Sequence, residues 1–228
     1  MPVNEKCDKV HWQNKHRKVT VMGNIIVYNT TRKRVYYQGG EYMCTILRKI
    51  RNKTPYDLLA EYDVSQKPPV DISKLLENIG ISTIAKDFSE IEHLMEADAG
   101  SILGAAFSNG NNLAIFYKKN ESLHRKKFTI AHELAHCCLD CPNDESSHIE
   151  FRLGPCMNLS DEDIKKEERA NVFAGQLLIP SAPLITYYDK MIVPSLTELA
   201  KIFDVSSSVM SARLDFLKLP YFKDDFSE

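Results

Sequence analysis

His132-Glu133-Leu134-Ala135-His136 combines residue types and spacing that point to chemistry. On a helix of 3.6 residues per turn, residues four apart project from one face, so both imidazoles can reach one metal ion. That is the spacing of two zinc ligands, with the intervening glutamate free to reach a zinc-activated water. Zinc lowers the pKa of such a water to about 7. Glu133 is then placed to take its proton as the hydroxide attacks a peptide carbonyl, and to pass it to the leaving amine. The flanks support the reading. Phe128, Ile130 and Ala131 precede the motif, and Cys137, Cys138 and Leu139 follow it. A helix of that composition is largely buried, and two histidines beside a glutamate inside a protein require a role.

A catalytic zinc takes three protein ligands and keeps one position open. A glycine at 139 and a histidine at 142 would continue the metzincin pattern, but Leu139 and Pro142 stand there, which excludes it. His148 is the one histidine downstream, in a polar stretch where a solvated side chain is the ordinary reading. The stronger candidate is Glu167. It shares a helical face with Ala170, Asn171, Ala174 and Leu178, and the two alanines let that helix approach the catalytic one closely. Asn171, one turn later, is expected to hold a ligand in place. The competing Glu168 lies on a face through Val172 and Gly175, without that small-residue stripe. A donor for the transition-state oxyanion is sought among Tyr187, Tyr188, His124 and His148, and the sequence does not choose among them.

These residues must be positioned by elements. A helix is expected from about Leu123 to Leu139. Before it, Ile102–Phe107 and Leu113–Tyr117 flank Ser108-Asn109-Gly110-Asn111-Asn112, a β-hairpin signal. Either strand is expected to offer an edge on which an extended substrate could pair. Lys67-Pro68-Pro69 marks a boundary. Asp71 caps a helix through Ile72, Leu75, Leu76 and Ile79, Gly80 stops it, and Ile81–Ala85 reads as a short strand. A polar loop follows the catalytic helix. Ser160 caps a helix from about Asp161 to Ile179, ended by Pro180 and Pro183. Two short helices, near 195–203 and 206–218, close the chain with helix-turn-helix spacing.

Phe128-Thr129-Ile130-Ala131-His132-Glu133-Leu134-Ala135-His136, with Glu167-Glu168-Arg169-Ala170-Asn171-Val172-Phe173-Ala174 and Leu177-Leu178-Ile179-Pro180, resembles the ImmA/IrrE family of metallopeptidases. Pro69-Val70-Asp71-Ile72 with Gly80-Ile81 resembles the start of that family's domain, so the likeness covers about residues 67–219. The resemblance implies an α+β, gluzincin-like fold with a zincin-like catalytic domain. It implies a zinc site completed by the glutamate of the Glu-x-x-Ala-Asn block, here Glu167. It also implies cleavage of a DNA-binding repressor, usually encoded nearby, in a stress or mobile-element switch.

Composition bounds the rest. Of 228 residues, 43% are hydrophobic and 26% charged, which is globular. No apolar run reaches the roughly 18 residues of a membrane helix, and no signal-like apolar segment opens the chain, so a cytoplasmic location is expected. The six cysteines, Cys7, Cys44, Cys137, Cys138, Cys141 and Cys156, read as free thiols. Cys138 and Cys141 lack the second pair that a zinc knuckle would need. Residues 1–53 carry twelve Lys or Arg against three Asp or Glu, although the whole chain is at −2. Three parts are expected: a poorly patterned basic segment (1–55), a zincin-like core (56–185) and a C-terminal helical subdomain (186–228). The closing helix pair is a poor DNA reader. Its second helix presents mostly serine with Arg213 nearly alone, and charges over 195–219 cancel. Packing or substrate docking is therefore expected of it.

Other functional classes stay open at this point: a DNA-binding or toxin–antitoxin-type regulator that uses the zincin fold for binding, and a zinc hydrolase of small molecules. The N-terminal segment carries its own expectation. Gln38-Gly39-Gly40-Glu41-Tyr42-Met43 can be encoded by a stretch holding GGAGG, a bacterial ribosome-binding site at a suitable distance from the Met43 codon. The reading is that translation starts at Met43 and that 1–42 lie outside the working protein. If ordered, this segment is expected to form at most a loose hairpin from Val19–Val27 and Val35–Tyr37.

Overall fold

The computed structural model describes residues 18–21, 25–28, 34–37, 44–94, 99–109, 112–140, 147–153 and 160–223. In chain order these form β1 (Lys18–Val21), β2 (Ile25–Tyr28), β3 (Arg34–Tyr37), α1 (Thr45–Ile50), α2 (Pro55–Glu61), α3 (Ile72–Ile79), β4 (Ser82–Lys86), α4 (Ser89–Leu94), β5 (Ile102–Asn109), β6 (Asn112–Lys118), α5 (Leu123–Leu139), β7 (Ser147–Leu153), α6 (Asp161–Leu178), α7 (Ser181–Tyr188), α8 (Leu196–Phe203) and α9 (Ser207–Phe216). The architecture is α+β. A sheet in the order β3-β7-β5-β6-β4 is antiparallel except where β4 runs parallel to β6, and β1 and β2 form a separate antiparallel pair.

Local chemistry sets the elements that carry the site. In α5, the Ser122 side chain accepts from the Arg125 amide, satisfying one of the orphan donors at the helix start. No glycine or proline interrupts the next seventeen residues. In α6, Ser160 accepts from the Asp163 amide, and Asp161, Glu162 and Asp163 place negative charge against the positive end of the helix dipole. The two helices lie against each other through small residues, with Ala131, Ala135, Ala170 and Ala174 all fully buried. The other side of α5 covers β5 and β6. There Gly104 is decisive, because a Cβ added to it would lie 2.6 Å from Thr129 Cγ2. The register shift between β5 and β7 falls at the same place, between Ile102 and Gly104.

The expected catalytic helix, hairpin, Asp71-capped helix and closing helix pair are all present. Asp71 accepts from the Lys74 amide, and Gly80 takes the left-handed conformation at φ 90°. Ahead of α2 and the Pro68-Pro69 boundary, the short helix α1 buries Leu47 and Ile50. Four readings need correction. Pro180 and Pro183 do more than end α6. Pro180 caps α7 and Pro183 sits in its first turn, where an absent N–H costs nothing. The stretch expected as a polar loop contains β7, whose Ile149, Phe151 and Leu153 alternate with polar residues. Consequently β5 is flanked by β7 and β6, and β6 by β5 and β4. Neither strand is the free edge expected for substrate pairing. Residues 34–37 pair with β7, from Arg34↔Glu150 to Tyr37↔Ser147, rather than with 19–27. The expected start at Met43 and the segment 38–43 lie outside the described residues.

The reading of Arg213 needs correction as well. Arg213 is not an outward residue of α9 but is buried at 4% exposure. Its Nε donates to the Ile179 carbonyl at 3.1 Å, and its guanidinium donates to Ser181 Oγ at 2.8 Å. It thus satisfies the C-terminal end of α6. Asp204, in the left-handed turn between α8 and α9, binds Lys127 and lies 2.9 Å from His124 Nε2, tying that turn to the start of α5. Lys127 first, against the opposing cost of burial, and then His124 hold the Asp204 carboxyl below the usual carboxylate range. Among the described residues, no helix is long and apolar enough to cross a membrane.

Candidate metal centre

His132, His136 and Glu167 come together as the helical spacing predicts. One donor atom from each lies within 4.8 Å of the others. His132 Nε2 is 2.9 Å from His136 Nε2 and 3.1 Å from Glu167 Oε2, and His136 Nε2 is 3.7 Å from Glu167 Oε1. Ligands around a tetrahedral zinc, at bond lengths near 2.0–2.2 Å, stand about 3.4 Å apart. The group matches that size.

The outer nitrogens of the histidines are also occupied. Asn171 Oδ1 is 2.9 Å from His132 Nδ1, and Asp140 Oδ2 is 2.9 Å from His136 Nδ1. A carboxylate accepts only, so Nδ1 of His136 carries the proton and its Nε2 turns a lone pair inward. The Asn171 carbonyl does the same for His132. Two inward lone pairs and a carboxylate converging on one point repel each other unless a cation sits among them. The donor set therefore fits a divalent, borderline-soft ion such as zinc.

Asp140 is itself held. Arg169 donates to Asp140 Oδ1 at 2.8 Å. Burial pushes the Asp140 carboxyl upward, but the bonds from His136 and Arg169 outweigh it and keep the group below the usual carboxylate range. The sequence reading missed both residues. Asp140 was findable as an acid four residues beyond the second histidine, on the same face. Arg169 is exposed and gave no signal until α5 and α6 were seen side by side.

Glu133 is fully buried. One residue past His132, its side chain is rotated by about 100° from the first histidine, toward β5. A Cβ on Gly104 would stand 2.9 Å from Glu133 Oε1 and 3.2 Å from the Phe116 carbonyl. The missing side chain at Gly104 is thus what seats both Thr129 and Glu133 against the sheet. A glycine in mid-strand was the available signal for it. Glu168 is exposed, while Glu167 is partly shielded.

The expected oxyanion donors are placed elsewhere or on β7. Tyr188 donates to the Pro220 carbonyl at 2.5 Å, Tyr187 packs edge-on against Phe203 with ring centroids 6.1 Å apart, and His124 is engaged with Asp204. His148 stands on β7, opposite Ser108 of β5. The cysteines Cys44, Cys137 and Cys138 are all buried. Cys141, the other half of the Cys-x-x-Cys pair, lies outside the described residues, as do Cys7 and Cys156.

Comparison with known families adds one finding. Residues 77–215 match the family described as Peptidase_M78: IrrE N-terminal-like domain. A search of the curated proteins returned no match.

Proposed function

The chain belongs to the IrrE N-terminal-like family of peptidases, and from that premise we propose that it is a zinc-dependent endopeptidase acting on a specific protein substrate. The observation that carries the proposal is the convergence of His132, His136 and Glu167 beside the buried Glu133, with Asn171 and Asp140 fixing both imidazoles. In this reading His132, His136 and Glu167 are the metal ligands and Glu133 is the general base. Zinc, when bound, supplies a Lewis acid that acidifies water and polarises the scissile carbonyl. Glu133 removes a proton from the attacking water and returns it to the leaving amine.

The substrate we propose is a helix-turn-helix repressor encoded near this gene, met in the cytoplasm, with cleavage releasing a stress or mobile-element switch. Direct nucleic-acid binding has no part in this reading, because Arg213 is spent inside the fold. The experiment is incubation of the purified full chain with the repressor encoded beside it, read by mass spectrometry. One defined pair of fragments should form, and a chelator should stop their formation. An intact repressor in the presence of zinc would reject this substrate. Binding without cleavage would instead favour the regulator reading.

A further inference from the structure

A cavity of about 690 Å³ opens between α5, α6 and α9, and its wall is shared with the metal centre. Asn171, which holds His132 at 2.9 Å, lines it, as does Phe128, whose ring lies 6.3 Å from the His132 ring. The cavity therefore begins one side chain away from the donor set. Resting on the peptidase reading above, we propose that this groove binds an apolar segment of the substrate on one side of the scissile bond, with a large aliphatic or aromatic side chain seated over Gly175.

Three observations lead there. Gly175 follows Asn171 by one turn of α6, and a Cβ added to it would meet nothing within 4 Å. Glycine inside a helix costs about 1 kcal/mol relative to alanine, and a close neighbour commonly explains it. Here no neighbour approaches, so the glycine enlarges the groove. Next, α9 turns Val209 and Ala212 to this space, with Phe216 half-exposed beside them. The one arginine of α9 is drawn inward beneath the Phe216 ring, 5.5 Å from its centroid, and bonds to Ile179 and Ser181. Besides Arg213, α9 and its cap give this groove Ser206, Ser208, Val209, Ala212 and Phe216, uncharged side chains that do not neutralise a phosphate backbone, and Arg125 of α5 is paired with Glu121. Finally, the groove begins at Phe128 and Thr129 of α5 and Asn171 of α6, which adjoin His132 and Glu133. A chain crossing that point must send one of its flanks somewhere, and a concave apolar trough with a few polar groups is the usual receptor for such a flank. The second helix of the closing pair thereby gains a role as the wall of a specificity groove.

The test uses the full-length, zinc-loaded Glu133→Gln protein, which binds without cleaving, on an array of immobilised random decapeptides. Captured peptides should be enriched in Leu, Ile, Met or Phe at one position. Gly175→Leu in the same background should reduce that enrichment at least about tenfold, at unchanged zinc content. Ala212→Trp fills the groove from an exposed site on α9 that bears on no core contact, and it should do the same. Absence of capture, capture without apolar preference, or preference unchanged in both variants would each overturn the groove. These results are read without hydrolysis. A groove that fails in an enzyme that still cleaves its repressor leaves the peptidase reading standing. Enrichment lost in both variants, with no cleavage by the wild type, does the opposite.

Discussion

Glu167 and Glu168 are adjacent in sequence and separated by about 100° around α6, and that rotation decides their roles. Glu167 Oε2 reaches His132 Nε2 at 3.1 Å, whereas Glu168 faces solvent. Glu167→Ala should lower zinc affinity by more than about a hundredfold, as the loss of a ligand does, and Glu168→Ala should leave it unchanged. Asp140→Ala and Asn171→Ala should fall between, at about 10–100-fold, because they free a ligand to reorient without removing it. Competition with a chromophoric chelator measures all four. Equal losses at 167 and 168 would mean that the assigned face of α6 is wrong. Most of this was legible from residues alone. His132, His136, Glu167 and Asn171 follow from helical spacing, which the sequence states directly. Asp140 was legible by the same spacing but went unread, and Arg169 was not legible, since its hold on Asp140 depends on how closely two helices distant in sequence approach.

Among the elements, α5 depends on the strand beneath it. Gly104 lies in the middle of β5 at the irregularity against β7, and its missing side chain is where Thr129 and Glu133 rest. Gly104→Ala would force a methyl to 2.6 Å from Thr129 Cγ2 and 3.2 Å from the Phe116 carbonyl. Overpacking of that kind costs about 1–3 kcal/mol, as the helix lifts from the sheet. Urea denaturation should show the loss as a lower midpoint at an unchanged slope. A variant as stable as the parent would show that the contact relaxes freely. Elements with strong caps or strict periods were read correctly. Asp71 and Gly80 bound α3, Ser160 opens α6, and α5 runs from Leu123 to Leu139. The misses have physical causes. Pro183 was read as a terminator, although a proline in a first turn gives up only a hydrogen bond that does not exist there. β7 was hidden because its alternation is interleaved with His148, Glu150 and Arg152, which made the stretch look like solvated loop. Strand order is set by long-range pairing, and hairpin signals alone left β5 and β6 as apparent edges.

At the scale of the molecule, the C-terminal helices are fastened to the catalytic core by Arg213 and Asp204. Arg213→Met should cost about 1–3 kcal/mol, because the Ile179 carbonyl at the end of α6 loses a buried donor. A drop in thermal midpoint with unchanged DNA affinity of the full chain would agree with that. A drop in DNA affinity would return Arg213 to the surface role that its place in the sequence first suggested. The central claim concerns the division of labour between holding the metal and moving the proton. It is tested most directly by measuring zinc content and repressor cleavage side by side in Glu133→Gln and His132→Ala. Glu133→Gln should retain one zinc per chain while cleavage falls by about 10²–10⁴-fold, the usual worth of a general base. His132→Ala should lose both. Full cleavage by Glu133→Gln, or zinc retained by His132→Ala, would contradict the account.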